Sequence, residues 1–282
     1  MIRNGEADVR KVEYNIVILP DGYTSAQLSV FAADAEDFVN TLLGTAPYNR
    51  LTNAINLFRV DVASTDSGAK NPTACGGTGA APKTYFDASF CNSGIQRLLE
   101  VNNTTVLGVV GAQVPQWHMA MVIVNSSVYG GSGGAVATFS KASGAMEIAL
   151  HEMGHTAFGF ADEYESYAGC GVDVGHDQYP GTEPAQPNVT INANRDTIKW
   201  RSLILPTTAM PTTKNADCSK CDPQPSPAPV GTVGAFEGAD YYHCGSYRPE
   251  FNCRMRALGN PFCAVCQQVI VNQLTPFLPR LS

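Results

Sequence analysis

Apolar positions along the chain follow two rhythms, and each predicts a different kind of element. Tyr14 to Leu19 (YNIVIL) is a continuous apolar run closed by Pro20-Asp21-Gly22, the pattern of a buried strand ending in a turn. From Ser25 onward, Leu28, Phe31, Ala35, Phe38, Val39 and Leu42 recur at helical spacing, and Gly44 stands where a C-cap is expected. Ile55 to Val62 (INLFRVDV) alternates as a strand does. Residues 64–84 read as a long Gly/Thr/Ala loop, and Ser93 to Val101 (SGIQRLLEV) as a helix. Met119 to Asn125 (MAMVIVN) is a second continuous apolar strand. Gly130 to Gly134 (GGSGG) reads as a flexible connection, followed by a short strand at Ala135 to Phe139 and a helix over 144–158. This order predicts a mixed sheet flanked by helices.

Beyond residue 164 the regularity fades. Residues 165–250 are rich in Pro, Gly, Asn, Asp and Thr, and the chain closes in an apolar, helix-like stretch, CAVCQQVIVNQLTPFL (263–278). The expected plan is a single domain over 1–282. A sheet-and-helix lobe covers about 12–160, and a smaller, loop-rich C-terminal lobe covers about 161–282.

Composition narrows the function classes. The chain has 282 residues with 44% hydrophobic content, enough for a real core. Its net charge of −7, with only 18 Lys and Arg, argues against a nucleic-acid or anionic-membrane surface. No apolar run approaches the ~20 residues of a membrane span. The opening MIRNGEADVR has no signal-peptide pattern, as expected of a chain made without one or of a trimmed chain. GGSGG lacks the spacing and the lysine of a phosphate-binding loop, which excludes a nucleotide site there. The nine cysteines leave two readings. Disulfides would imply an oxidising compartment, with Cys75 and Cys91 bracketing one loop and six more crowding the C-terminal part. Alternatively, Cys218-Ser-Lys-Cys221 and Cys263-Ala-Val-Cys266 would form two halves of one structural zinc site.

The chemistry concentrates in ALHEMGHTAFGFADEY (149–164). On a helix, His151 and His155 are one turn apart, roughly 6 Å along the axis, and project to one face. Two imidazoles so placed suit one Zn²⁺. Glu152 leaves the helix beside them, placed to contact a water held by the metal and to act as general base. The apolar neighbours Ala145, Met146, Ile148, Ala149, Leu150 and Met153 are those of a buried helix. Gly159 lets the chain reverse, so the first acids after it, Asp162 and Glu163, are the candidates for a third ligand. Glu147 would have to reach along the same straight helix, and reads as supporting or solvated. His118, His176 and His243 read as surface or packing residues.

HEMGHTAFGFADEY resembles the IgA-peptidase family of zinc metallopeptidases, a group of metzincin-like character. The motif here reads HExxHxxxGxxDEY, one residue longer before the glycine than the metzincin pattern. Further blocks resemble the same family: YNIVILPDGYT near the start, FRVDVASTDSGA (58–69), VIVNSSVYGGSGG (122–134) and YRPEFNCRMRALGNPFCAVC (247–266). The resemblance implies Asp162 as third ligand, and a metzincin-like α/β zinc peptidase with a mixed twisted sheet flanked by helices. It also implies an active-site helix, a smaller irregular C-terminal lobe, and an edge strand to which extended substrate adds through main-chain hydrogen bonds. By the same resemblance, Met255 is the natural candidate for a methionine in a turn beneath the metal. Tyr242 and Tyr247 precede Met255, whereas relatives place their oxyanion-steadying tyrosine after it, so that role stays unassigned.

The function expected is a secreted or cell-surface zinc endopeptidase acting on a protein or peptide substrate. Two alternatives stand beside it: a peptidase-like binding module for a host protein or glycan, and another zinc amidase acting on cell-wall peptides. A binding module has no need of Glu152.

Overall fold

The computed structural model describes residues 13–166, 175–221 and 225–279. They divide into two compact units: one runs through Phe158 and takes up the chain again from Val271, and the other is Gly159–Ile270.

In the first unit, β1 (Tyr14–Asp21), β2 (Ile55–Arg59), β3 (Met119–Val124), β4 (Gly131–Ser132) and β5 (Ala137–Ser140) form one sheet in the order β2-β1-β3-β5-β4. All neighbours are parallel except β4, which pairs antiparallel with β5. Parallel strands are covered on both faces, which is why YNIVIL and MAMVIV are continuous rather than alternating. One face carries Val17 and Leu19 of β1 with Ala120, Val122 and Val124 of β3, in one core with Val106 and Val110 of α2 (Asn103–Gln113). The intervening residues Ile16, Ile18, Met121 and Ile123 are equally buried on the opposite face. That face is covered by α1 (Leu28–Gly44) and α3 (Ala145–Phe158), with the ring of Phe38 5.9 Å from that of Phe139 on β5. Full burial of each such side chain contributes about 1.5–3 kcal/mol. The mixed, mostly parallel sheet with flanking helices is the architecture the pattern predicts.

The turn after β1 organises the long loop. Asp21 is fully buried, and its carboxylate accepts the N–H groups of Phe86 (2.8 Å) and Ala88 (2.9 Å) and the hydroxyl of Thr84 (2.7 Å). A disulfide joins Cys75 to Cys91 across the same region.

The helix expected over 93–101 is absent. Cys91 and Ser93 have φ of 70° and 52°, left-handed values that an α-helix of L-residues does not propagate. The segment makes a single turn at Asn92–Gly94, then bridges Gly131 through Leu98 and Ser89 through Glu100. The helix starts later as α2, where the Asn102 side chain caps it by accepting the N–H of Thr105 at 3.0 Å.

The second unit contains a hairpin in the stretch expected to be irregular: β6 (Phe236–Ala239) and β7 (Tyr242–Arg248), antiparallel. No alternation announces it, because its polar residues are buried as well. Glu237 is 4% exposed, and its carboxylate accepts the N–H groups of Asn215 (2.6 Å) and Gly245 (3.0 Å). A last helix, α4 (Ala264–Leu274), starts in the second unit and ends in the first, matching the helix-like C-terminal stretch.

Candidate active site

His151, Glu152 and His155 lie on α3, whose apolar residues Ile148, Ala149, Leu150 and Met153 are buried. The two imidazoles project from successive turns, and their Nε2 atoms are 3.1 Å apart with ring planes at 82°. Two nitrogens on one tetrahedral ion, each about 2.0–2.1 Å from it, are separated by about 3.3 Å. The donor pair therefore fits a shared cation.

The glycine run expected to be a flexible connection is instead part of the wall against this helix. A Cβ on Gly131 would fall 2.7 Å from Ile148 Cγ2 and 3.1 Å from Glu152 Cγ, and one on Gly133 would fall 2.4 Å from His155 Cβ. Only glycine lets the backbone come this close. Gly134 N–H also donates to Thr156 Oγ1 at 3.2 Å. β4 is the last strand of the sheet, but Gly131 is already bridged on its outer side: its N–H donates to Arg97 O (3.1 Å) and its carbonyl accepts from Leu99 N–H (3.3 Å).

Tyr129, which precedes the run, is 48% exposed. Partial burial pushes its hydroxyl pKa up, the Arg97 charge opposes that, and Glu152 adds to it. In the sequence only its place beside the glycine run marks this tyrosine.

In the second unit, Gly159 has φ +66°, the left-handed turn expected of it. Asp162, 5% exposed, accepts the Tyr241 hydroxyl at Oδ2 (2.5 Å), and its carbonyl accepts Asp240 N–H at 3.0 Å. Tyr241 N–H donates to Tyr164 O at 3.0 Å, so the β6–β7 turn is fastened to residues 162–164. Asp240 and Tyr241 hold φ of 52° and 71°, the positive values that the two central residues of a tight hairpin turn require. Burial pushes the Asp240 carboxyl pKa up, and the like charge of Asp162 adds to it. Tyr241 was not among the residues singled out from the sequence, because the hairpin presenting it was not legible there.

Glu163 points elsewhere. It is fully buried, and its Oε1 accepts Asn188 Nδ2 at 2.9 Å and lies 3.5 Å from Cys266 Sγ. Burial holds its carboxyl pKa well above the usual range. Met255 is fully buried in a turn, and its carbonyl accepts Glu163 N–H at 2.7 Å. Tyr247 lies on β7 with its hydroxyl 3.4 Å from Glu237, and Tyr242 packs edge-on against Tyr179. His118 and His243 are packing residues, the first stacked on Tyr14 and the second 1% exposed with Nδ1 2.7 Å from Cys218 O. His176 packs against Tyr242. Glu147 stands in the first turn of α3.

One reading of the cysteines is overturned. Cys218 is disulfide-bonded to Cys244, and Cys221 is also disulfide-bonded, so 218–221 cannot serve as half of a zinc site with 263–266. Cys170 lies outside the described residues.

A mostly parallel sheet with a histidine-bearing helix packed on it is compatible with a peptidase fold. A family model described as IgA Peptidase M64 matches residues 5–222 and 225–274, and the chain belongs to that family. It is accordingly a peptidase, a hydrolase whose substrate is protein. No curated protein matches the chain.

Proposed function

We propose that this peptidase is a zinc-dependent metalloendopeptidase in which His151, His155 and Asp162 hold the metal and Glu152 is the general base and acid. The observation that carries the reading is the pair of imidazole Nε2 atoms 3.1 Å apart on a helix that also presents Glu152. Asp162 is favoured as third ligand by its place after the Gly159 turn and by the engagement of Glu163 among buried thiols. The hydroxyl of Tyr241 fixes the Asp162 carboxylate as outer partners of metal ligands do. The metzincin-like character, including Met255 in its turn, belongs to the same proposal.

Zinc, when bound, supplies Lewis acidity that acidifies water and polarises the scissile carbonyl. Glu152 receives the proton of the attacking water on its carboxylate and returns it to the nitrogen of the leaving amine. The 97–99 bridge on β4 leaves main-chain pairing with an extended substrate to the stretch beyond Ser132. The disulfides support a secreted or cell-surface location.

Glu152→Gln tests the mechanism against a denatured protein substrate. Cleavage falls by at least about 100-fold while zinc content is unchanged; full activity in that variant defeats the proposal. Asp162→Ala loses one zinc equivalent, and undiminished zinc content there refutes the third ligand.

A further inference from the structure

A second cluster of metal-binding groups lies within the second unit and takes no part in the reaction above. Cys253, Cys263 and Cys266 are reduced and buried, and Glu163 is fully buried beside them. One ligand atom from each of the four lies within 4.8 Å of all the others.

The individual distances are those of a coordination shell. Cys253 and Cys266 have their sulfurs 3.8 Å apart, and Glu163 Oε1 is 3.5 Å from Cys266 Sγ and 3.9 Å from Cys263 Sγ. Around one tetrahedral zinc, bonds of about 2.3 Å to sulfur and about 2.0–2.2 Å to oxygen leave edges of about 3.8 Å between sulfurs and about 3.6 Å between sulfur and oxygen. A disulfide would instead require sulfurs about 2.05 Å apart. Three thiols also cannot all be paired among themselves.

Two further features point to a cation. Glu163 Oε2 is buried and has no hydrogen-bond partner among the described residues. The charge of buried Arg248 acts on Glu163, but no hydrogen bond reaches Oε2, and a carboxylate oxygen left so in a dry interior is costly. The main chain, in turn, is arranged for thiolates: Cys263 N–H donates to Cys253 Sγ at 3.3 Å, and Cys266 N–H to Cys263 Sγ at 3.4 Å. The second of these contacts closes the Cys263-Ala-Val-Cys266 loop at the start of α4.

We propose that Cys253, Cys263, Cys266 and Glu163 form a structural site for one zinc ion. Binding requires all four groups in their deprotonated forms, so whatever protons the three thiols and the Glu163 carboxyl carry are released to solvent. Four protein ligands complete a tetrahedral shell and leave no position for substrate, so the ion's role is to hold the fold. It ties Glu163 to residues 100 and 103 positions further along the chain. Because Glu163 follows Asp162 directly, it also anchors the segment that carries the proposed catalytic ligand. The inference stands on the thiol cluster and does not depend on the catalytic reading.

Zinc counting on the intact chain, by elemental analysis and native mass, tests it. Wild type is expected to hold two zinc ions, His151→Ala/His155→Ala to keep one, and Cys266→Ser to lose one. The histidine double variant loaded with cobalt(II) is expected to show thiolate-to-cobalt charge-transfer absorption, a readout that does not require any cysteine variant to fold. One zinc in wild type and none in the histidine variant overturns the proposal. So does a disulfide between any two of Cys253, Cys263 and Cys266 in the native protein. A single zinc that survives the histidine changes supports the thiol site and refutes the catalytic one.

Discussion

At the scale of single residues, the site depends on neighbours that no motif names. Tyr241 is the clearest, since its hydroxyl is 2.5 Å from Asp162 while its own backbone is held at φ 71°. If Asp162 is a ligand as proposed, Tyr241→Phe should leave the fold intact and weaken binding of the proposed zinc by about 10–100-fold, as removal of an outer-shell partner does. Competition with a zinc-sensitive dye measures this, and an unchanged affinity would show that the contact positions nothing. His118 offers a pH test. Its Nδ1 accepts the main-chain N–H of Asn15 at 3.0 Å, its ring stacks on Tyr14, and burial holds its pKa below the ordinary 6.5. Above that value neither state binds the proton. As pH falls through 6.5 the unfolded chain takes it up first, so stability declines until the folded group titrates too. Urea midpoints between about pH 7 and pH 5 should therefore fall less steeply in His118→Gln than in wild type.

At the scale of elements, the decisive contact is between a strand of two residues and the motif helix. β4 and the residue after it lie close to α3 only because Gly131 and Gly133 lack side chains: a Cβ on Gly131 would meet Ile148, and one on Gly133 would overlap His155. Gly133→Ala should cost about 1–3 kcal/mol by overpacking, with a parallel loss of cleavage as His155 is displaced. Gly111→Ala is the control. It stands in α2 with open space around its missing Cβ, and helix propensity there predicts a gain of up to about 1 kcal/mol. Chemical denaturation of both variants separates the two effects, and equal behaviour would mean β4 yields freely. α1 and α3 are legible in the sequence because their apolar positions recur at helical spacing, and β1 and β3 because strands covered on both faces read as unbroken apolar runs. The sequence misplaced α2, since a left-handed Cys91 and Ser93 break a pattern that looks helical, and it missed β6 and β7, whose buried Glu237 and Arg248 imitate loop composition.

At the scale of the whole molecule, cross-links hold what periodicity does not. The loop between β2 and α2 has little regular structure, and it is fastened by the carboxylate of Asp21 and the Cys75–Cys91 disulfide. Replacing both cysteines with serine closes no loop of 16 residues in the unfolded chain, and should cost about 3 kcal/mol on the chain-entropy account. Thermal and urea unfolding measure it, and an unchanged midpoint would leave Asp21 as the sufficient anchor. The same region bridges Gly131 through Leu98, so a loss of cleavage beyond the stability effect would trace the disulfide's influence to β4.

What the sequence determined by itself was local: a helix with His151, Glu152 and His155 on one turn, a turn at Gly159, and two strands buried on both faces. These follow from the fixed geometry of short segments, in which spacing alone decides which side chains share a face. Tertiary structure decided how distant segments meet. It sent Glu163 to three thiols, gave Asp162 the hydroxyl of Tyr241, and made a glycine run the wall beside His155. No local period encodes such meetings, because they depend on long-range register and on how closely two backbones approach.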